Sequence, residues 1–263
     1  MAEPGASRTP PDLDISARDA LADLLRSVAD DEFVIGFWDS EWTGIAPMLE
    51  EDVATSSIAQ DEIGHARALY ELLATLTDDD ADRIAFGRDA DAYRHAALLD
   101  HARGDWAFSV ARRWLYETAD AVRLAALARS SWEPLAQLAG KMRREETYHR
   151  MHADVWLRRL SDAGPEVRQR LIDALTRLWP DAQAVFVPLA GEDQLLRHGL
   201  LPEPMGALHA TWQAEVGPIL ALVVPDLPAA APSIDGRTRH SDDFRWLHGQ
   251  FTLVARSEVG ATW

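Results

Sequence analysis

The sequence predicts an all-α fold built on a four-helix bundle. Three observations carry that expectation. Ala, Leu and Arg dominate the 263 residues and β-branched residues are sparse, a mix that favours helix over strand. Apolar residues recur at spacings of three and four through four long stretches. Within each of two pairs the stretches are separated by a short turn, and a longer joint lies between the pairs. With 47% hydrophobic residues, the chain can bury a substantial core.

The first helix is expected over about 15–42, on the pattern Ala20, Leu21, Leu24, Leu25, Val28, Phe33, Ile35, Phe37. Gly44 suits a C-terminal cap and Pro47 the first turn of a second helix over about 47–76. The acidic cluster 77–82 ends it, and a looser region with a short helix follows over about 83–104. A third long helix is expected over 106–129, a turn at Ser130-Ser131-Trp132, and a fourth helix from Pro134 to about residue 160. Additional C-terminal helices are expected over about 166–186, 203–222 and 241–256, with a Pro/Ala-rich extended stretch at 225–237. Residues 1–14 read as a disordered lead-in and 15–263 as a single domain.

The charge excludes some functions. There are 43 acidic against 26 basic residues, a net charge of -17, which argues against nucleic acid as a partner and against an anionic membrane. No run reaches the ~20 apolar residues of a membrane span, and the N-terminal residues lack the apolar core of a secretory signal. No cysteine is present, so disulfides, Cys-ligated zinc and iron–sulfur clusters are excluded, which fits a cytoplasmic protein.

Two short motifs carry chemistry: Asp61-Glu62-Ile63-Gly64-His65 on the second helix and Glu145-Glu146-Thr147-Tyr148-His149 on the fourth. Each contains Glu-x-x-His. Residues three apart share a helix face, so Glu62 with His65, and Glu146 with His149, can each reach one point. Carboxylate-bridged di-metal bundles of the ferritin-like class use that motif twice, with one carboxylate from each of the other two helices. Oxygen donors with imidazole suit iron, with manganese as the alternative.

Turn geometry locates the other carboxylates, because facing residues of an antiparallel hairpin lie equally far from the turn. Glu62 lies 17 residues after a turn centred near Ile45, so its partner falls near residue 28, within reach of Asp30, Asp31 and Glu32. Glu32 has the longest reach. Glu41 would lie roughly 20 Å along the axis from Glu62 at ~1.5 Å per residue. Glu146 lies 14 residues after a turn near Trp132, and its mirror position near Thr118 admits Glu117 and Asp120. Glu117 has the longer reach, and Asp120 shares its face and could accept from a ligand His N–H. The expected metal set is Glu32, Glu62, His65, Glu117, Glu146 and His149, with Glu62 and Glu146 as catalytic bridging carboxylates. The bland alternative is a buried salt-bridge core in which Arg67, Arg113 or Arg123 pairs with some of these acids. His152 is expected beside the site, and His95, His101, His198, His209, His240 and His248 show no paired spacing. Trp38, Trp42, Trp106, Trp114, Trp156 and Trp179 are expected at helix contacts.

The residues at 33–47, 60–65 and 145–149, with the terminal Gly260-Ala261-Thr262-Trp263, resemble the ferritin-like subunits of the phenylacetyl-CoA epoxidase (phenylacetate-CoA oxygenase) system. The resemblance covers most of the chain after residue 20. It is most specific in Ser40-Glu41-Trp42 with Ala46-Pro47, in Gln60-Asp61-Glu62-Ile63-Gly64-His65, in Trp212-Gln213-Ala214-Glu215-Val216 and in Trp263. Two related subunits of that system share the fold: a catalytic one with the di-iron ligands and a structural partner. The Glu41-Trp42 turn, the Ala214-Glu215-Val216 segment and the final Trp resemble the structural subunit, whereas 60–65 and 145–149 resemble the catalytic one. The catalytic pattern implies the same six ligands.

The resemblance implies a di-iron monooxygenase component that places one oxygen atom of O2 across an aromatic C=C bond of an acyl-CoA thioester. It also implies a homologous ferritin-like partner subunit and a separate reductase, since this chain has no Gly-rich dinucleotide fingerprint. Two other readings are a non-catalytic scaffold subunit of the same system and a stand-alone di-metal oxidase.

Overall fold

A computed structural model describes residues 12–257. Among these residues the regular structure is helical, without a strand. The expected lead-in falls largely on residues 1–11, and the terminal Trp263 motif on 258–263; both lie outside the described residues. Asp14, at the end of that lead-in, is already structural: its carboxylate accepts from the Ala17 N–H at 2.8 Å and caps the first helix.

The bundle is made of α1 (Ile15–Ser40), α2 (Leu49–Ala74), α4 (Trp106–Leu127) and α5 (Glu133–Ser161), with the short α3 (Ala81–Phe86) on the joint between the two hairpins. α1 packs chiefly on α2 and α4 chiefly on α5, and α2 meets α5 across the bundle. Gly44, with φ +84°, supplies the left-handed residue of the first turn. Pro47 precedes α2, which starts one residue after the extended Met48, so the proline ends the turn instead of entering the helix. Gly36 sets the approach of α1 to α2. A Cβ there would lie 2.9 Å from Ile63 Cγ1 and 3.1 Å from Glu62 Cβ, so only glycine admits this contact, one turn along from Glu32.

α1 and α4 are buried nearly all round, as expected for central helices. The second coat is α6 (Pro165–Ala182) and α8 (Met205–Val223), both against α4, with α7 (Glu192–Arg197), α9 (Asp242–Phe251) and α10 (Leu253–Ser257) completing it. α7 escapes the sequence reading because six residues between Gly191 and Gly199 are too few to show a period. The joint at 87–105 holds only single 3-10 turns at Ala90–Ala92 and Ala97–Leu99. It is pinned by its backbone: Asp30 accepts from the Arg94 N–H at 2.6 Å and Asp31 from the Ala96 N–H at 2.7 Å. His95 and His240, read as unrelated from their spacing, stack at 4.4 Å, and both meet Asp100 Oδ1, at 2.9 and 3.2 Å. His240 Nε2 donates to the Tyr93 carbonyl at 3.0 Å, so this group ties the segment before α9 to the joint.

Candidate metal centre

Four helices send carboxylates and imidazoles to one point in the bundle. Glu32 comes from α1, Glu62 and His65 from α2, Glu117 from α4, and Glu146 and His149 from α5. All six side chains are buried. Their donor atoms form two groups of four, each within 4.8 Å: Glu32, Glu62, His65 and Glu146 in one, and Glu62, Glu117, Glu146 and His149 in the other. Glu62 and Glu146 belong to both, which is the place of a bridging carboxylate. His65 Nδ1 lies 3.2 Å from Glu32 Oε2, 3.3 Å from Glu146 Oε1 and 3.7 Å from Glu62 Oε2. His149 Nδ1 lies 3.3 Å from Glu146 Oε2 and 3.4 Å from Glu62 Oε1.

Each imidazole is held from outside by an acid the sequence reading passed over. His65 Nε2 lies 2.8 Å from Glu145 Oε2, and His149 Nε2 lies 3.3 Å from Asp61 Oδ2. The pairing is crossed: the acid preceding each Glu-x-x-His motif holds the histidine of the other motif. A carboxylate accepts, so both Nε2 atoms carry the proton and both Nδ1 atoms turn toward the cluster. A ligating histidine commonly has this arrangement. The signal was visible, since an acid stands immediately before the Glu of both motifs. Its use was not, because the partner histidine is on another helix.

The donor set fits metal. Among the described residues, Glu62 Oε2, Glu117 Oε2, both Glu146 oxygens and His149 Nδ1 are buried with no hydrogen-bond partner. Orphaned buried polar atoms are costly, and five in one cluster mark a place that lacks positive charge. The titration behaviour agrees. Burial, then the charge of Glu146, pushes Glu62 and Glu117 well above the carboxylate range. Burial opposes charge on both histidines as well, but Glu146 and its neighbouring glutamates outweigh it and raise their pKa values. The cluster therefore holds protons in the absence of a better cation.

Two arginines also reach it. Arg113 Nη1 donates to Glu62 Oε1 at 2.9 Å and contacts Glu117 Oε1, while its Nη2 meets Asp39. Arg123 stands 3.9 Å from Glu32 Oε1, but its main partners are Asp31 and Asp120. Asp120 therefore serves Arg123 and not a ligand histidine, correcting the expectation from its shared face with Glu117. Arg67 points outward to Glu71 and takes no part. Glu41 caps the end of α1 beside Arg103 at 3.8 Å, away from the cluster, as the turn count requires. His152 bonds Glu51 at 2.7 Å and belongs to neither group.

A family model described as phenylacetic acid catabolic protein matches residues 8–263. The chain belongs to this family. It is 30% identical over 177 residues to one of the subunits of the 1,2-phenylacetyl-CoA epoxidase of Escherichia coli (strain K12), covering 67% of this chain and 71% of that protein. Over 153 residues it is 28% identical to another subunit of the same enzyme, covering 57% of this chain and 48% of that protein. The ferritin-like bundle is thus that of a phenylacetic acid catabolic protein, and among its described residues no helix is long and apolar enough to cross a membrane.

Proposed function

We propose that this chain is a cytoplasmic di-iron oxygenase component of the phenylacetyl-CoA ring-epoxidase type, acting on an aromatic acyl-CoA thioester with O2. The observation that carries the reading is the orphaned donor set contributed by three helices, α2, α4 and α5: Glu62 Oε2, Glu117 Oε2, both Glu146 oxygens and His149 Nδ1. The two relatives, both subunits of one epoxidase, support the reaction class and a homologous partner subunit; a separate reductase belongs to the same proposal.

In this reading His65 and His149 would each hold one ion, Glu32 and Glu117 would each serve one of the two groups, and Glu62 and Glu146, which belong to both, would be shared between them. Manganese would be accepted by the same donors. The bound pair supplies oxygen activation: one oxygen atom is placed across an aromatic C=C bond and the other leaves as water, with electrons from the reductase. The chain supplies the rest. Glu145 and Asp61 fix the ring orientation of the two histidines. The Tyr116 hydroxyl donates to Glu32 Oε1 at 2.6 Å and holds that carboxylate in place. Burial of all six ligands keeps bulk water away.

A second reading, a scaffold subunit that pairs with a catalytic homologue, is favoured by one observation: the Arg113 guanidinium lies against Glu62 and Glu117. Elemental analysis of protein from iron-supplemented cells separates the two, beside a Glu62→Ala/His149→Ala double variant. The catalytic reading expects about two irons per chain, lost in the variant. Absence of metal from both samples moves the scaffold reading to first place.

A further inference from the structure

The two halves of the cluster are not electrically alike. Arg113 sits on α4 one turn before Glu117 and is 5% exposed. Its Nη1 is shared between Glu62 Oε1 and Glu117 Oε1, and both glutamates belong to the His149 group. The His65 group contains only one of them, and the guanidinium nearest its Glu32 is Arg123, already bonded to Asp31 and Asp120. A guanidinium does not give up its proton in a protein. It therefore stays a cation inside the His149 half, consuming one oxygen of Glu117 and repelling any metal ion that enters there.

We propose that Arg113 is an internal counter-cation that makes the two metal subsites unequal, so that the subsite of His65 loads first and more tightly than the subsite of His149. The inference rests on the di-metal reading. Asp39, on α1 and 3% exposed, completes the device, because it contacts the other terminal nitrogen of Arg113. It gives the guanidinium somewhere to go when the second ion arrives. A cavity of about 20 Å³, the space of one water, is lined by Asp39, Trp42, Trp106, Ser109, Arg113 and His152, so a small shift of the guanidinium meets no packed wall. Arg113 and Asp39 are positioning residues, with opposite effects on the second ion.

The test is Mn(II) titration of the metal-free full chain, read by calorimetry and by electron paramagnetic resonance, where an isolated ion and a coupled pair differ. In the native protein the first equivalent should bind at least about tenfold more tightly than the second, and the sample at one equivalent should give an isolated-ion signal. Arg113→Gln should tighten the second ion and close most of that gap. Asp39→Asn should weaken the second ion by about tenfold, because the guanidinium then has only Glu62 and Glu117 to bind. A merely structural role would move both variants the same way. Equal affinities in the native protein, with coupled signal from the first addition, overturn the proposal and leave the di-metal reading intact. So does an unchanged gap in folded Arg113→Gln; should that variant fail to fold by circular dichroism, Asp39→Asn decides in its place. No Mn(II) binding by any of the three proteins sinks the di-metal reading itself, and this inference with it.

Discussion

Asp30, Asp31 and Glu32 are consecutive on α1, and all three are fully buried. A helix turns about 100° per residue, so they face three directions, and they meet different fates. Asp30 accepts from Arg88 Nη1 at 2.9 Å, from the Tyr70 hydroxyl at 2.7 Å and from the Arg94 N–H. Asp31 is held by Arg237 at 3.0 Å, by Arg123 and by the Ala96 N–H. Glu32 faces the bundle axis, where four glutamates share two histidines and Arg113, with Arg123 no nearer than 3.9 Å to Glu32 Oε1, and leave oxygens unpartnered. One carboxylate layer is closed by the protein's own cations, and the other is left open. The closed layer fixes the joint at 87–105 to the bundle; the open one is the cluster proposed to hold metal. Predictions that separate the layers should differ in sign as well as size.

The largest effect belongs to the closed layer. Asp31→Ala leaves Arg123 and Arg237 buried without their shared carboxylate, and should cost about 3–5 kcal/mol in denaturant unfolding of the metal-free protein. A loss below about 1 kcal/mol would mean that this layer does not carry its charges as paired ions.

How much of this contrast the sequence contained is uneven. The two hairpins, the Gly44 turn and the choice of Glu32 over Glu41 follow from periodicity and from counting residues back from a turn. These are local properties of a helix pair. The six clustered side chains were expected on similar grounds: Glu62, His65, Glu146 and His149 because Glu-x-x-His repeats within one helix, Glu32 and Glu117 from the turn count. The crossed bonds of Asp61 and Glu145 were not, since each acts on a histidine of another helix. Nor was the Arg237–Asp31 bridge, whose partners are brought together by an irregular arm after α8. The role of Asp120 was misread because Arg123, three residues on, competes for it better than a histidine across the bundle. Spacing reports which residues share a face, but not which of several partners on that face wins.

Next in size is the outer support of the open layer. Asp61→Asn and Glu145→Gln should each weaken metal binding by about 10–100-fold while leaving unfolding of the metal-free protein nearly unchanged. Equal losses of stability and of affinity would make these acids ordinary structural partners and blur the distinction between the layers.

The pH response should also differ in sign between Glu62 and Asp31. Burial and then Glu146 raise Glu62, so the fold takes up a proton that the unfolded chain has released. That contribution is present at low pH and is lost as pH rises above the ordinary value of 4.5. His149 is raised too, and its contribution fades above 6.5. Asp31 has the opposite sign. Burial pushes it up, but Arg237 and Arg123 outweigh burial and lower it, so its contribution is present above 3.8 and lost as pH falls below that. Metal-free protein should therefore lose stability from about pH 5 toward pH 8, and excess Mn(II) should flatten that limb by displacing the protons. Glu62→Gln should stabilise the metal-free protein at pH 8 by roughly 1 kcal/mol while abolishing metal binding. Asp31→Asn should shrink the acid limb, to which the lowered Glu146 also contributes, and leave the limb above pH 5 in place.

The smallest effect tests how redundant the closed layer is. Tyr70→Phe removes one donor from Asp30 but leaves Arg88 and the Arg94 N–H bonded to it. The carboxylate is then still satisfied, so the cost should be that of a single hydrogen bond, about 0.5–1.5 kcal/mol, with Mn(II) affinity unchanged. Urea unfolding with parallel metal titration reads both quantities. A change in metal affinity from Tyr70→Phe would mean that the layers communicate through α1, and that Asp30 and Glu32, two residues apart but facing different partners, are not independent.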